Sequence, residues 1–208
     1  MDLYLFLVLL FPLLSFIISV FFNRNKTVYD LYFSLGLGYM FINELLGFIA
    51  GYYRTIYQLP FANLYSLIFP ILIYLLFYKI SNSESVKKQI KILSIALFVF
   101  FIIDNLIYRN FLTDLQFHTY LASTVILIYI IGKNLLQIME SDIIEEYQRS
   151  KSFWISMGLL MFYVPFIPII FAFKFMILNP EVRNVLNLLL IFVMNFCFIY
   201  ASLFTKRK

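Results

Sequence analysis

Cysteine, histidine and tryptophan each occur once in this chain of 208 residues. A single cysteine, Cys197, excludes an internal disulfide and a thiolate metal cage; it lies within an apolar stretch, where a thiol reads as a small buried side chain. The single histidine, His118, has no His-x-x-x-His or related spacing beside it, so the sequence offers no metal site and no His-Glu-x-x-His metalloprotease. Ser-His-Asp and Gly-x-Ser-x-Gly contexts are missing too, which leaves no assignable catalytic residue. Gly36-Leu37-Gly38 is not a nucleotide motif, because its context is apolar and no strand precedes it. No lysine stands in the middle of the last apolar stretch, which disfavours a retinal Schiff base, and no cofactor is implied. Linkers, repeats and low-complexity tracts are absent, so 1–208 is expected to be one domain.

Charge is scarce as well. Charged residues are 13% of the chain and hydrophobic ones 63%, against roughly 25% and 45–50% in soluble domains. A bilayer core needs about 20 consecutive apolar residues of helix to cross it. Seven stretches meet that need, at about 3–22, 29–50, 61–78, 92–108, 117–138, 153–173 and 185–204. The fold class is therefore all-α, a polytopic seven-transmembrane-helix bundle. Met1-Asp2 runs straight into apolar sequence without a basic n-region or a cleavage site, so the first stretch is expected to be retained as a span.

The formal charge of +5 fits cytoplasmic loops better than nucleic acid, since short loops rich in Lys and Arg stay inside. Arg24, Lys26, Lys79, Lys87, Lys88, Lys91, Lys133, Arg149, Lys151, Lys206, Arg207 and Lys208 fall on one side; Arg54, Arg109, Lys174 and Arg183 fall on the other. That asymmetry predicts an inner-membrane, multi-pass protein with its N-terminus outside and its C-terminus cytoplasmic. The segment 139–152 carries acids ahead of bases, as a short charged helical extension would.

A charge inside a bilayer is expensive unless it meets a partner or a cavity, so each one is a candidate for function. Asn43-Glu44 in the second span and Asp104-Asn105 in the fourth lie in the outer half of the bundle. Asn63, His118 and Arg54 are expected at the same level, together with Arg109 and Lys174. These residues predict an outward-facing polar cavity in which Glu44, Asp104, Asn43, Asn105, Asn63, His118 and Arg54 bind a cationic or hydrogen-bonding ligand, or carry a proton. The competing reading is that the acids bond to neighbouring polar groups and lock helix packing. Only Asp30, Lys133, Asn134 and Gln137 offer polarity in the inner halves, which is thin for a pore.

Four prolines, Pro12, Pro70, Pro165 and Pro168, fall inside spans, and the last two are expected to kink the sixth. Gly36 and Gly38 suggest a close helix approach. Asn187 and Asn195, eight residues apart, share a helix face that is expected to point inward.

Asn43-Glu44, the Asn63-Leu64-Tyr65 opening of the third span, the stretch from Ser152 to Tyr163 and the apolar-to-basic ending from Asn195 to Lys208 resemble the small bacterial seven-helix membrane modules associated with sensor histidine kinases. The resemblance implies a receptor or transducer whose kinase is on another chain. The expected function is thus a non-enzymatic, receptor-like or signal-transducing integral membrane protein that binds a small or lipid ligand. Its partners are the lipid bilayer and a cytoplasmic or membrane signalling protein, with no nucleic acid. A lipid-modifying membrane enzyme and a small transporter or pore are the alternatives.

Overall fold

A computed structural model describes residues 3–22, 27–52, 58–108, 114–140, 150–175 and 179–204. Among them the chain forms helices and no strand: α1 (Leu3–Phe21), α2 (Val28–Tyr52), α3 (Gln58–Ile80), α4 (Glu84–Ile103), a π turn (Asp104–Tyr108), α5 (Phe117–Met139), α6 (Lys151–Lys174) and α7 (Pro180–Leu203). Six are long and apolar enough to cross a membrane; α1 supplies a shorter apolar run, Phe6–Phe21. Large apolar side chains remain on the outside throughout. On α4 alone, Ile92, Ile95, Phe98 and Val99 are about half exposed, which water would penalise and hydrocarbon would not.

Helix ends follow local chemistry. Thr27 and Asp30 form a reciprocal cap: the Thr27 backbone N–H donates to Asp30 Oδ2 at 3.1 Å and the Asp30 N–H donates to Thr27 Oγ1 at 3.4 Å. This is a capping-box arrangement with Asp in place of Glu, and it explains an acid that sequence position alone offers to an inner polar path. Ser83 caps α4 by accepting from the Val86 N–H, so the basic run Lys87, Lys88 and Lys91 stands on the first turns of a helix and not in a loop. Asn179 caps α7 with Pro180 in the first turn, where its missing N–H costs nothing. The segment 141–149, with its acid-before-base pattern, lies outside the described residues.

The helices divide into two compact units, Met1–Asn25 with Ile131–Lys208, and Lys26–Ile130. In the first, α7 packs against both α1 and α6. Ser15 Oγ donates to Asn195 Oδ1 at 2.6 Å, and Asn187 Nδ2 donates to Tyr4 Oη at 3.4 Å. The asparagine face of α7 is therefore the face that meets α1. Phe11 and Phe192 add an edge-to-face ring contact at 5.1 Å on the same side. At the start of α6, Asn134 Nδ2 donates to Ser152 Oγ at 2.8 Å and Ser156 Oγ at 3.0 Å.

The close helix approach occurs at Gly158 rather than at Gly36. A Cβ at Gly158 would lie 2.9 Å from Cys197 Cβ and 3.1 Å from the Met194 carbonyl oxygen, whereas at Gly36 it would be 3.4 Å from Ile73 Cδ1, an ordinary contact. Small residues let membrane helices approach closely, and Gly158 faces Met194, Cys197 and Phe198, all buried on α7. Helix α6 continues unbroken through Pro165 and Pro168.

In the second unit α2 packs on α3, and α3 on α4. Tyr74, fully buried, donates its hydroxyl to the Ser123 carbonyl on α5 at 2.7 Å, and Tyr129 on α5 donates to Gln89 on α4 at 3.0 Å.

The Gly158 contact predicts that Gly158→Ala lowers stability by about 1–3 kcal/mol, the cost of forcing a methyl into a filled interface. Gly132, with nothing within 4 Å of its Cβ position, should accept Ala with an unchanged or higher unfolding midpoint. Thermal unfolding of the two variants in one detergent makes the comparison.

Candidate functional site

The α4 helix does not end as an α-helix. Its last turn widens into the π turn Asp104–Tyr108, opening at the intramembrane acid. Such single π turns concentrate at functional positions, because they shift the side chains that follow them relative to the regular helix. Asn105 supports the widening from within: its Nδ2 donates to the Phe101 carbonyl at 2.9 Å. That bond fixes the amide, since a carbonyl can only accept, and leaves Asn105 Oδ1 as an acceptor. The oxygen takes a hydrogen bond from Gln116 Nε2.

Asp104 itself is buried, with 1% of its surface exposed. Its Oδ2 accepts from Thr119 Oγ1 at 2.9 Å and its Oδ1 faces His118 Nδ1 at 3.3 Å. Both partners lie in the first turn of α5, so the carboxylate sits at the positive end of that helix, an arrangement worth about 0.3–1 kcal/mol and more when partly buried. While Asp104 is ionised it can only accept, so a hydrogen bond between the two places the hydrogen on His118 Nδ1. The His118 side chain is 45% exposed. A buried acid thus holds an exposed imidazole in one orientation.

Asn63, at the start of α3, ties the same region from the other side. Its Nδ2 donates to the Asp114 carbonyl at 2.8 Å, while its Oδ1 accepts from the Gln116 backbone N–H at 2.9 Å. Gln116 is therefore fixed twice, by Asn63 through its backbone and by Asn105 through its side chain. Its Oε1 is buried and has no hydrogen-bond partner among the described residues. The Gln116 carbonyl in turn accepts from the Tyr120 N–H at 3.0 Å, which makes Gln116 the residue that opens α5.

Glu44 joins this region by helix register. Only five residues separate α2 from α3, too few to return along a helix of that length, so the pair is antiparallel. Gly36 lies against Ile73. Two turns further toward the connection, Glu44 comes level with Tyr65 and Ser66, and one turn more brings Gly47 level with Asn63. The buried stripe Phe33, Leu37 and Met40 continues through Glu44 at helical spacing, opposite the buried stripe Phe77, Ile73, Pro70, Ser66 and Asn63. The α2–α3 seam is thus apolar at one end and polar at the other. Tyr39 and Tyr65 stack across it with centroids 6.1 Å apart.

Of the residues singled out by sequence, Asn63, Asp104, Asn105 and His118 are brought together by hydrogen bonds. Glu44 is half-buried and level with Ser66, but neither it nor Asn43 forms a hydrogen bond or ion pair among the described residues. Arg54 and Arg109 lie outside the described residues. Gln116, Thr119 and Ser66 belong to the cluster and were not legible as such; the three-and-four spacing of Asn63, Ser66 and Pro70 was the available signal. Among the described residues no three His, Cys, Asp or Glu side chains converge as metal ligands. No family model, curated protein or solved structure matches this chain.

The double role of Asn63 predicts that Asn63→Ala strands a donor and an acceptor and lowers stability by about 2 kcal/mol or more. Asn43→Ala removes no such bond and should stay within about 0.5 kcal/mol. Chemical or thermal unfolding in matched lipid nanodiscs measures both.

Proposed function

We propose that the chain is a receptor-like or signal-transducing integral membrane protein, with seven helices crossing the bacterial inner membrane, its N-terminus outside and its C-terminus in the cytoplasm. In that orientation the Asp104 cluster and Glu44 lie in the outer half of the membrane, in an outward-facing polar site for a small or lipid ligand. The observation that carries this reading is the Asp104 carboxylate, buried after the long apolar run of α4 and set at the opening of a π turn. A ligand that competes for Thr119, His118 or Gln116 would act on that turn directly. A π turn and a regular turn differ in where the rest of the helix points, so the junction has two discrete arrangements of the kind that signalling needs. The charged first turns of α4 and the segment 139–152 are the cytoplasmic surfaces for a signalling partner on another chain, as in the histidine-kinase modules that the sequence resembles.

One observation favours a second reading. An exposed imidazole held by a buried acid is also the arrangement of a general acid–base group, which keeps a lipid-modifying enzyme as the alternative. A pore gains less support, because the buried face of α5 turns apolar at Leu127, Ile130 and Ile131 between its polar ends.

Glu44→Gln should leave the protein folded and inserted while weakening its response to whichever lipid most raises the wild-type unfolding midpoint in nanodiscs; an unchanged response would count against the pocket. Single cysteines placed after Lys208 and before Met1, in a Cys197→Ala background, should label from the cytoplasmic and outer faces respectively. Turnover of labelled lipid by purified protein would select the enzyme instead, and flux in liposomes the pore.

A further inference from the structure

The polarity of the cluster is one-sided. Working outward from fixed backbone groups, the Phe101 carbonyl orients Asn105, Asn105 orients Gln116, and Gln116 is left presenting an oxygen. That oxygen is buried and has no partner among the described residues. It cannot be exchanged for the amide nitrogen by a flip, because the nitrogen is needed by Asn105 Oδ1 and Asn105 in turn is held by a carbonyl. Asp104 can only accept while ionised. Glu44, one turn from Asn63 along the seam, adds a second carboxylate without a partner among the described residues. Among the described residues acceptors are thus in excess, and the component this cluster lacks is a donor. A buried acceptor left unmade is a standing destabilisation, and two intramembrane carboxylates call for positive charge.

Resting on the reading of this cluster as a ligand site, we propose that it takes a primary ammonium group, whose three N–H donors bond to Gln116 Oε1 and are drawn by the Asp104 and Glu44 carboxylates. The ammonium is either the headgroup of an aminophospholipid entering from the outer leaflet or a free amine. A quaternary ammonium carries the same charge and no donor, so it fails at the Gln116 oxygen. An anionic or purely hydroxylic group meets the wrong sign or only part of the acceptor set.

The test uses the full chain in nanodiscs of phosphatidylcholine and phosphatidylglycerol, with the unfolding midpoint as readout, since a ligand that binds only the folded state raises it in proportion to occupancy. One arm titrates ethanolamine, a second replaces phosphatidylcholine stepwise with phosphatidylethanolamine, and choline is the control in the first arm. The midpoint should rise with ethanolamine, with the lipid, or with both, and not with choline; which arm responds identifies the source. Gln116→Met and Glu44→Gln should each raise the half-saturating concentration by about tenfold, the loss expected for one hydrogen bond or charge contact to an ammonium. Glu44 takes no part in the bonds that hold the α4–α5 junction, so its variant keeps the test open if Gln116→Met does not fold. An equal response to choline, or a response that both variants leave unchanged, overturns the ammonium assignment. A rise with phosphatidylglycerol that depends on Glu44 also overturns it while leaving the ligand site standing. No response in any arm, with the Glu44→Gln midpoint equal to wild type, sinks both, and a structural water then satisfies Gln116.

Discussion

Hydrocarbon gives a polar side chain nothing to bond to, so a buried donor or acceptor in this protein needs a partner inside the chain or on a bound ligand. That constraint is most visible at Asp104. A carboxylate in the last turn of an apolar helix persists because the next helix begins with Thr119 and His118 facing it and with the positive end of a helix beneath it. The widened turn that opens at Asp104 and the placement of Asn105 and Gln116 lie beside the same contact. Remove the acid and the reason for the local geometry goes with it.

The same rule divides the second unit into two ends. Where α2 meets α3 far from their connection, the seam is Phe33, Leu37, Ile73 and Phe77, all buried. Toward the connection it becomes Glu44, Ser66 and Asn63, and Asn63 passes the polar character on to the α4–α5 junction. In the first unit, polar pairs act differently: Ser15 with Asn195 and Asn134 with Ser152 and Ser156 each close on themselves. Those pairs are satisfied and lock helices together. The α4–α5 junction carries the buried Gln116 oxygen, which has no partner among the described residues, and an exposed imidazole, and this is what separates a candidate site from structural glue.

How much of this was legible in the sequence depended on the period of the pattern. Long apolar runs announced the helices, and the isolated acids Glu44 and Asp104 stood out because their surroundings were so uniform. The shared face of Asn187 and Asn195 followed from helical spacing, and both bond to α1. Other features had no one-dimensional signal. Gly158 is in no way distinguished from Gly36 until the neighbouring helix is in place. The basic run Lys87 to Lys91 read as a loop because charge interrupts the apolar window, although Ser83 and Glu84 form an ordinary helix start. Gln116 carries no signal of its own in the sequence; only the positions of Asn63 and Asn105 make it the centre of the network. Asp30 read as an inner polar residue and is a cap.

The whole account turns on whether Asp104 holds His118. Because this is the only histidine in the chain, its side-chain nitrogens give a single pair of ¹⁵N resonances in uniformly labelled protein. Nitrogen chemical shifts distinguish the two neutral tautomers. In nanodiscs at a pH where the ring is neutral, the account predicts that Nδ1 is protonated and Nε2 is bare, and that Asp104→Asn shifts the ring toward the opposite tautomer. A wild-type ring protonated at Nε2, or a tautomer that Asp104→Asn leaves untouched, would contradict it.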